Sequence, residues 1–201
     1  MFREQLVHLI NKAPDLAIVG EADNIRDGFA LIQETQPNIA IVDITLKGSS
    51  GIELLKDLRA HGSQVPVLIL SMHDESLYAE RALRAGARGY VTKHEASESV
   101  MTAIREVLHG EVYLNPRFMS KMMIKIVSGG ATWHPVDRLA DRELEVFELI
   151  GRGLTTREIG AKLGLGVTTV DTYRSRIKEK LNLENAARLR AEASRWVQQH
   201  E

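Results

Sequence analysis

The chain has 201 residues, 44% of them hydrophobic, a formal charge of -1 and no cysteine. That length allows one large or two small domains with real cores, the near-neutral charge excludes a uniformly basic nucleic-acid coat, and the missing cysteines exclude disulfides and thiolate metal centres. No apolar stretch approaches a membrane span and Met1-Phe2-Arg3-Glu4 does not read as a secretory leader, so a cytoplasmic protein without membrane association is expected.

Residues 1–112 alternate helical and strand patterns. A helix is predicted over 2–12, with Phe2, Leu6, Leu9 and Ile10 on one face, then a strand over 16–22. A helix follows over 25–35 with Phe29 and Ile32 inward. A strand over 39–43 precedes a helix over 51–61 carrying Ile52, Leu54, Leu55 and Leu58. The strand over 65–71 leads to a helix near 75–85. A short strand at 89–91 leads to a last helix over 97–108, where Val100, Ile104, Val107 and Leu108 recur at helical spacing. Such alternation predicts a parallel sheet covered by helices.

Residues 113–137 lose that rhythm and read as a linker. Pro116 suits the first turn of a helix over 116–127, whose Met119, Met122 and Met123 are expected to cover a domain surface or a dimer contact. Ser128-Gly129-Gly130 opens a hinge that ends at Pro135 and contains His134, which has no partner spacing for a metal.

Residues 138–201 read as four helices. The first, over 141–152, turns Leu144, Phe147 and Ile150 inward and stops at Gly153. Thr155-Thr156-Arg157-Glu158 is a capping box opening a second helix that buries Ile159 and Leu163 and ends at Gly164. A third helix over 168–181 repeats Val170, Tyr173, Ile177 and Leu181 on one face, and a fourth runs over 185–198. Two short helices joined by a Gly-containing turn predict a helix-turn-helix. Its recognition helix would present Thr168, Thr169, Asp171, Thr172, Arg174, Ser175, Arg176 and Lys178 outward, with Lys162 of the preceding helix near a phosphate.

The chemistry of the first domain follows from where its strands end. Asp43, Ser71, Tyr90 and Lys93 end or follow the apolar runs 39–43, 67–71 and 89–93. In open α/β sheets ligands gather at the carboxyl ends of the strands. A carboxylate there can accept a phosphoryl group, an ammonium can neutralise it, and a hydroxyl can donate to it. Taken singly, each residue has an ordinary explanation as a cap, a solvated lysine or a half-buried aromatic. Their order at successive strand ends is what points to phosphoryl transfer.

The segments Ile41-Val42-Asp43-Ile44, Leu70-Ser71-Met72-His73 and Ala85-Gly86-Ala87-Arg88-Gly89-Tyr90-Val91-Thr92-Lys93 resemble a response-regulator receiver domain, and Gly48–Gly51 matches the loop after its acceptor. The resemblance implies Asp43 as phosphoacceptor, Ser71 and Tyr90 as the switch pair, and Lys93 as the phosphate-binding lysine. Leu139-Ala140-Asp141-Arg142-Glu143-Leu144-Glu145-Val146 with Thr155–Leu183 resembles the LuxR-type helix-turn-helix. Together they resemble the NarL/FixJ response regulators. The implied fold is a flavodoxin-like (CheY-like) α/β receiver followed by a small all-α DNA-binding domain. Asp171 departs from that pattern, which is commonly basic there; acceptance from a cytosine amino group and helix capping are both open.

The family opens with a strand ending in an acidic pair that holds Mg²⁺ beside the acceptor. Here Met1-Phe2-Arg3-Glu4 aligns within the following helix, which leaves Asp43 alone of that metal set. Either the start is an internal methionine of a longer protein, or the receiver lacks its first strand; in both cases the chain as written is expected to be phosphorylated poorly.

The implied function is a transcription regulator, not an enzyme. A sensor histidine kinase would phosphorylate Asp43, and phosphorylation would favour a homodimer on double-stranded DNA, with Ala187, Leu189, Ala191 and Ala193 as a dimer seam. Two alternatives stand beside it: a phosphorylation-independent DNA-binding regulator, and an interaction module that sequesters a kinase or partner without touching DNA.

Overall fold

The computed structural model describes residues 2–46, 49–72, 75–94, 97–127 and 135–200. Gly48, His73, Ser128-Gly129-Gly130 and His134, each singled out above, lie outside the described residues, as does the side chain of Phe2. The chain divides into two compact units, one of residues 1–46 and 51–123, the other of 47–50 and 124–201.

In the first unit, helices α1 (Phe2–Asn11) and α2 (Ile25–Thr35) precede strand β1 (Ala40–Asp43). The two-residue strand β2 (Thr45–Leu46) follows and, after the two-residue strand β3 (Ser49–Ser50) that is counted with the second unit, α3 (Gly51–Ala60), β4 (Val67–Ser71), α4 (Glu75–Ala85), β5 (Gly89–Thr92) and α5 (Ser97–Leu108). The main sheet is parallel in the order β1-β4-β5. Its register sets Ala40 opposite Val67, Leu68 opposite Gly89, and Ser71 opposite Thr92.

Side chains alternate across a strand, so successive residues fall on opposite faces of the sheet. Leu68, Leu70 and Val91 join Val100, Ala103, Ile104 and Val107 of α5 and Ile10 of α1 in one core cluster. β4 is buried at all five positions, as expected of a central strand with helices on both faces. Ile104 repeats after Val100 and before Val107 at i+4 and i+3, so α5 turns one apolar stripe onto the sheet. Burying such a side chain contributes ~1.5–3 kcal/mol.

Two expectations for this unit need correction. Residues 16–22 form no strand. Leu16 and Ile18 do pack on the α1/α5 core and Val19 is exposed, so the strand-like alternation is real. Among the described residues no strand pairs with the segment, whose Leu16 N bonds back to Ala13 O at 3.3 Å, and β-structure needs a neighbouring strand for its N–H and C=O groups. The linker, conversely, holds more order than its composition suggests. Tyr113 forms a parallel bridge with Gly89: Tyr90 N donates to Tyr113 O at 3.1 Å, and Tyr113 N to Arg88 O at 3.0 Å. A side chain at Gly89 would stand 3.2 Å from Tyr113 O and 2.7 Å from Leu68 Cδ1, so glycine is what lets the two segments approach this closely without displacing a neighbour.

Helix α6 (Pro116–Val127) begins where Pro116 predicts, with Phe118 buried and Met119 and Met123 exposed. In the second unit a 3₁₀ turn at Pro135–Arg138 leads to α7 (Asp141–Gly151), α8 (Thr156–Leu163), α9 (Val167–Lys180) and α10 (Ala186–His200). α7 is central, packing against α8, α9 and α10. Phe147 meets Trp196 at a ring separation of 5.9 Å. At Gly151 an added Cβ would lie 2.4 Å from the Ala193 carbonyl oxygen, which fixes how closely α7 and α10 approach. Leu189 and Ala193 are fully buried in that packing. They are therefore unavailable to the expected dimer seam, of which only Ala187 and Ala191 are exposed.

Candidate functional site

The carboxyl ends of β1, β4 and β5 meet at one edge of the sheet. Asp43 closes β1, Ser71 closes β4, and Lys93 follows β5 directly. Parallel register does the assembly: Ile44 N donates to Leu70 O at 3.0 Å and Lys93 N to Ser71 O at 2.7 Å. The Lys93 ammonium reaches across to donate to Asp43 Oδ2. The second carboxylate oxygen, Oδ1, accepts from Thr45 N at 3.1 Å. Lys93 is 13% exposed and Asp43 33%, so the acid is the more open of the two. A half-open carboxylate with a cation at its side can receive an incoming anion and neutralise it.

Ser71 and Tyr90 are fully buried beside this pair. Ser71 pairs in register with Thr92, and Tyr90 with Ile69, two positions deeper. All four share one face of the sheet, whereas Asp43 pairs with Leu70 and shares the other. The structure thus brings Lys93 to Asp43 directly, ties Ser71 to Lys93 through the backbone, and sets Tyr90 one strand repeat behind Ser71. Sequence reasoning passed over Thr92, whose signal was the period of two from Tyr90. It also passed over the reason for Gly51: a Cβ there would lie 2.2 Å from the Asp43 carbonyl oxygen.

A divalent cation of the magnesium type needs several oxygen ligands. Among the described residues no group of three or more His, Asp or Glu could hold a metal, and one oxygen of Asp43 is engaged by Lys93. These residues do not fit a magnesium site by themselves.

The second unit builds a different surface. Thr155 caps α8: its hydroxyl accepts from Glu158 N at 3.4 Å, and Glu158 Oε2 accepts from Thr155 N at 2.8 Å and Thr155 Oγ1 at 2.7 Å. These bonds, the backbone one foremost, hold the Glu158 carboxyl below its usual range. Gly164 ends α8 in the left-handed region, φ 67°. Gly160 lets the turn fold back, because a Cβ there would meet Leu165 O at 2.7 Å. At α7 the box is half made: Ala140 offers no side-chain acceptor, but its N–H donates to Glu143 Oε2 at 2.8 Å. The same Oε2 accepts from Lys180 Nζ at 2.6 Å, which ties the start of α7 to the end of α9.

Val170 and Ile177 anchor α9 on the core. Thr168, Thr169, Asp171, Thr172, Ser175 and Arg176 are exposed, as is Lys162 on α8. Arg174 and Lys178, expected to point outward, are half-buried. Arg174 sits at the border of the buried face and folds back to donate to Thr156 Oγ1 at 3.2 Å. Asp171 does not cap α9, whose N-cap is Gly166.

A parallel sheet with a cation-paired carboxylate at its carboxyl edge, followed in the chain by a helix-turn-helix, defines a two-module regulator. The family model described as the response regulator receiver domain matches residues 1–105, and that of bacterial regulatory proteins of the luxR family matches residues 137–193. The chain is 33% identical to the transcriptional regulatory protein UhpA of Escherichia coli, over 93% of this chain and 89% of that one. It is 32% identical to the transcriptional regulatory protein DesR of Bacillus subtilis, over 88% and 83%. A two-component response regulator of the LuxR family from Aurantimonas superposes with a TM-score of 0.59 at 34% identity, covering 62% of this chain and 89% of that one. Salmonella RcsB, solved bound to the promoter rprA with a phosphomimetic, shares the fold: TM-score 0.59 at 22% identity, covering 95% and 92%. The chain belongs to the NarL/FixJ family of response regulators, transcription factors that join a receiver to a LuxR-type DNA-binding domain.

Proposed function

We propose that Asp43 is the phosphoacceptor of this regulator and that its modification controls DNA binding by the second unit. A carboxylate oxygen of Asp43 attacks the phosphorus of a phosphohistidine on a sensor histidine kinase. The P–N bond breaks as the acyl phosphate forms. Lys93 stays beside the new phosphoryl oxygens as a positive point charge. Ser71 and Tyr90 form the switch, the hydroxyl turning toward the phosphoryl group and the aromatic ring responding behind it. The observation that supports this reading is the Lys93–Asp43 pair at the carboxyl edge of the sheet. Magnesium belongs with the family's chemistry, but no step is assigned to it because the donors described here do not suffice.

Phosphorylation then favours a homodimer on paired half-sites of double-stranded DNA. Thr168, Thr169, Asp171, Thr172, Ser175 and Arg176 are the groove-facing set of α9. Lys162, Arg174 and Lys178 flank it and contribute phosphate contacts or support. The protein acts in the cytoplasm; among the described residues no helix is long and apolar enough to cross a membrane. The second reading, a regulator whose DNA binding ignores phosphorylation, is favoured by the same sparse donor set around Asp43.

One experiment separates the two. The intact chain and Asp43→Asn are incubated with a small phosphoryl donor and magnesium, then titrated with DNA at several salt concentrations. The switch reading expects one added phosphoryl group, at Asp43 only, and tighter DNA binding in the parent alone. Equal binding by parent and variant with donor present establishes the second reading. Affinity that does not fall with added salt would overturn DNA binding itself.

A further inference from the structure

An acidic residue near the start of the exposed face of α9, Asp171, needs a physical reason. Double-stranded DNA carries one negative charge per ~1.7 Å of axis. A carboxylate brought against that surface is repelled unless it meets a hydrogen-bond donor. Asp171 is 60% exposed and lies on the face that carries Thr168, Thr172 and Ser175.

Its surroundings hold it in place without hiding it. Asp171 Oδ1 accepts from Thr156 Oγ1 at 3.5 Å and stands 4.0 Å from Arg174 Nε. Arg174 is itself fixed by its 3.2 Å bond to Thr156 and is only 18% exposed. The guanidinium therefore offsets part of the Asp171 charge from behind. Both contacts fall on Oδ1, so Oδ2 is the oxygen left to face outward. The side chain is also no helix cap, since α9 starts at Val167 with Gly166 as its N-cap and Asp171 lies in its second turn.

From this we infer that Asp171 is a specificity-determining residue that selects cytosine in the major groove, with Arg174 and Thr156 as its positioning residues. The inference rests on α9 being the recognition helix. Among major-groove base edges, the cytosine N4 amino group is a donor that an aspartate can accept from. Guanine presents only acceptors, N7 and O6, and thymine presents the O4 acceptor and a methyl group. Adenine sets an acceptor, N7, beside its donor. The acceptor-only carboxylate is thus repelled at guanine and thymine, meets a donor with an acceptor beside it at adenine, and meets a donor alone only at cytosine.

The test uses the intact chain, with phosphoryl donor present, and selection from random duplex DNA. The parent is expected to enrich one cytosine position in each half-site by about fivefold or more over any other base. In Asp171→Asn that preference is expected to vanish and adenine to rise at the same position, because an amide matches adenine N6 and N7. Asp171→Ala should lose the preference with no replacement. Circular dichroism of each variant checks that α9 is intact. If Asp171→Asn keeps the parent's cytosine preference, or the parent has none, the inference is overturned. If Arg176→Ala and Thr168→Ala also leave both affinity and sequence preference unmoved, the recognition-helix reading fails as well, which marks that failure apart from the first.

Discussion

The two units reach function by opposite routes. At the sheet edge, Asp43 and Lys93 stand fifty residues apart in sequence and meet only because β1, β4 and β5 lie in one parallel register. In the helical unit, nearly every bond that shapes the turn joins residues close in sequence, such as Thr155 with Glu158 and Gly160 with Leu165. The first site is an acid half-sheltered by its own cation. The second is an exposed helix face of small hydroxyls and scattered charge. Long-range assembly suits a switch, because a change at one strand end is felt by its neighbours. Local assembly suits a rigid reader that presents the same surface in any state.

The largest expected effect strikes the long-range site. Lys93→Met removes the cation from Asp43 and leaves the backbone bond from residue 93 to Ser71 O in place. Phosphoryl uptake at Asp43 is expected to slow on the order of 10²-fold, the cost of one charge-stabilising donor. The readout is the rate of mass gain with a small phosphoryl donor. Salt-dependent DNA binding without donor should be unchanged; a loss there would break the division of labour between the units.

Gly51→Ala comes next. Its Cβ would stand 2.2 Å from the Asp43 carbonyl oxygen and 2.9 Å from Val42 Cγ1, and backbone cannot yield as a side-chain tip can. Overpacking of this kind costs ~1–3 kcal/mol. Amide hydrogen exchange should show lost protection in β1 and β4 with α7 to α9 retained. Uniform loss in both units would show that they unfold as one.

Legibility in the sequence follows the same divide. The strands expected to end at Asp43, Ser71 and Val91 were readable because each is apolar, short and bounded by turn residues. Leu16–Ala22 has the same pattern and failed, since a strand is a property of a pair and pattern records only one member. Tyr113 was invisible for the converse reason: its bridge is made with Gly89, two dozen residues earlier, and nothing in the linker's composition records that. The Thr155–Glu158 box was read correctly because its partners are three residues apart. Arg174 was misplaced because a helical wheel assigns border positions poorly, and a long side chain there can turn toward a neighbouring helix. Leu189 and Ala193 were misread as a seam because an apolar stripe does not say which surface it meets. The order of Asp43, Ser71, Tyr90 and Lys93 along the chain was legible; that Asp43 and Ser71 lie on opposite faces of the sheet was not.

Local bonding also predicts that the two helix starts differ. Thr155→Ala removes the hydroxyl that accepts from Glu158 N, and should cost ~1 kcal/mol. At α7 the missing half can be supplied: Ala140→Thr adds an acceptor where the return bond from Glu143 already exists. It should stabilise the helical unit by ~0.5–1 kcal/mol. Urea unfolding of the two variants should therefore move in opposite directions.

The smallest effect is on pH dependence. Thr155 N–H first, and its hydroxyl second, favour the ionised form of Glu158, so the folded protein holds this carboxyl below its usual range. A depressed folded-state value means that the unfolded chain binds the proton more readily. The stabilisation is complete above the ordinary glutamate pKa of about 4.3. It is lost as pH falls through the lower folded value. The stability gap between the parent and Glu158→Gln should thus be constant near neutrality and shrink as pH drops below about 4. The group is fully exposed, so salt should narrow the gap further. A gap that widens on acidification would mean that Thr155 stabilises the protonated acid, and the bond from Thr155 N–H to Glu158 could not then be what orders the start of α8.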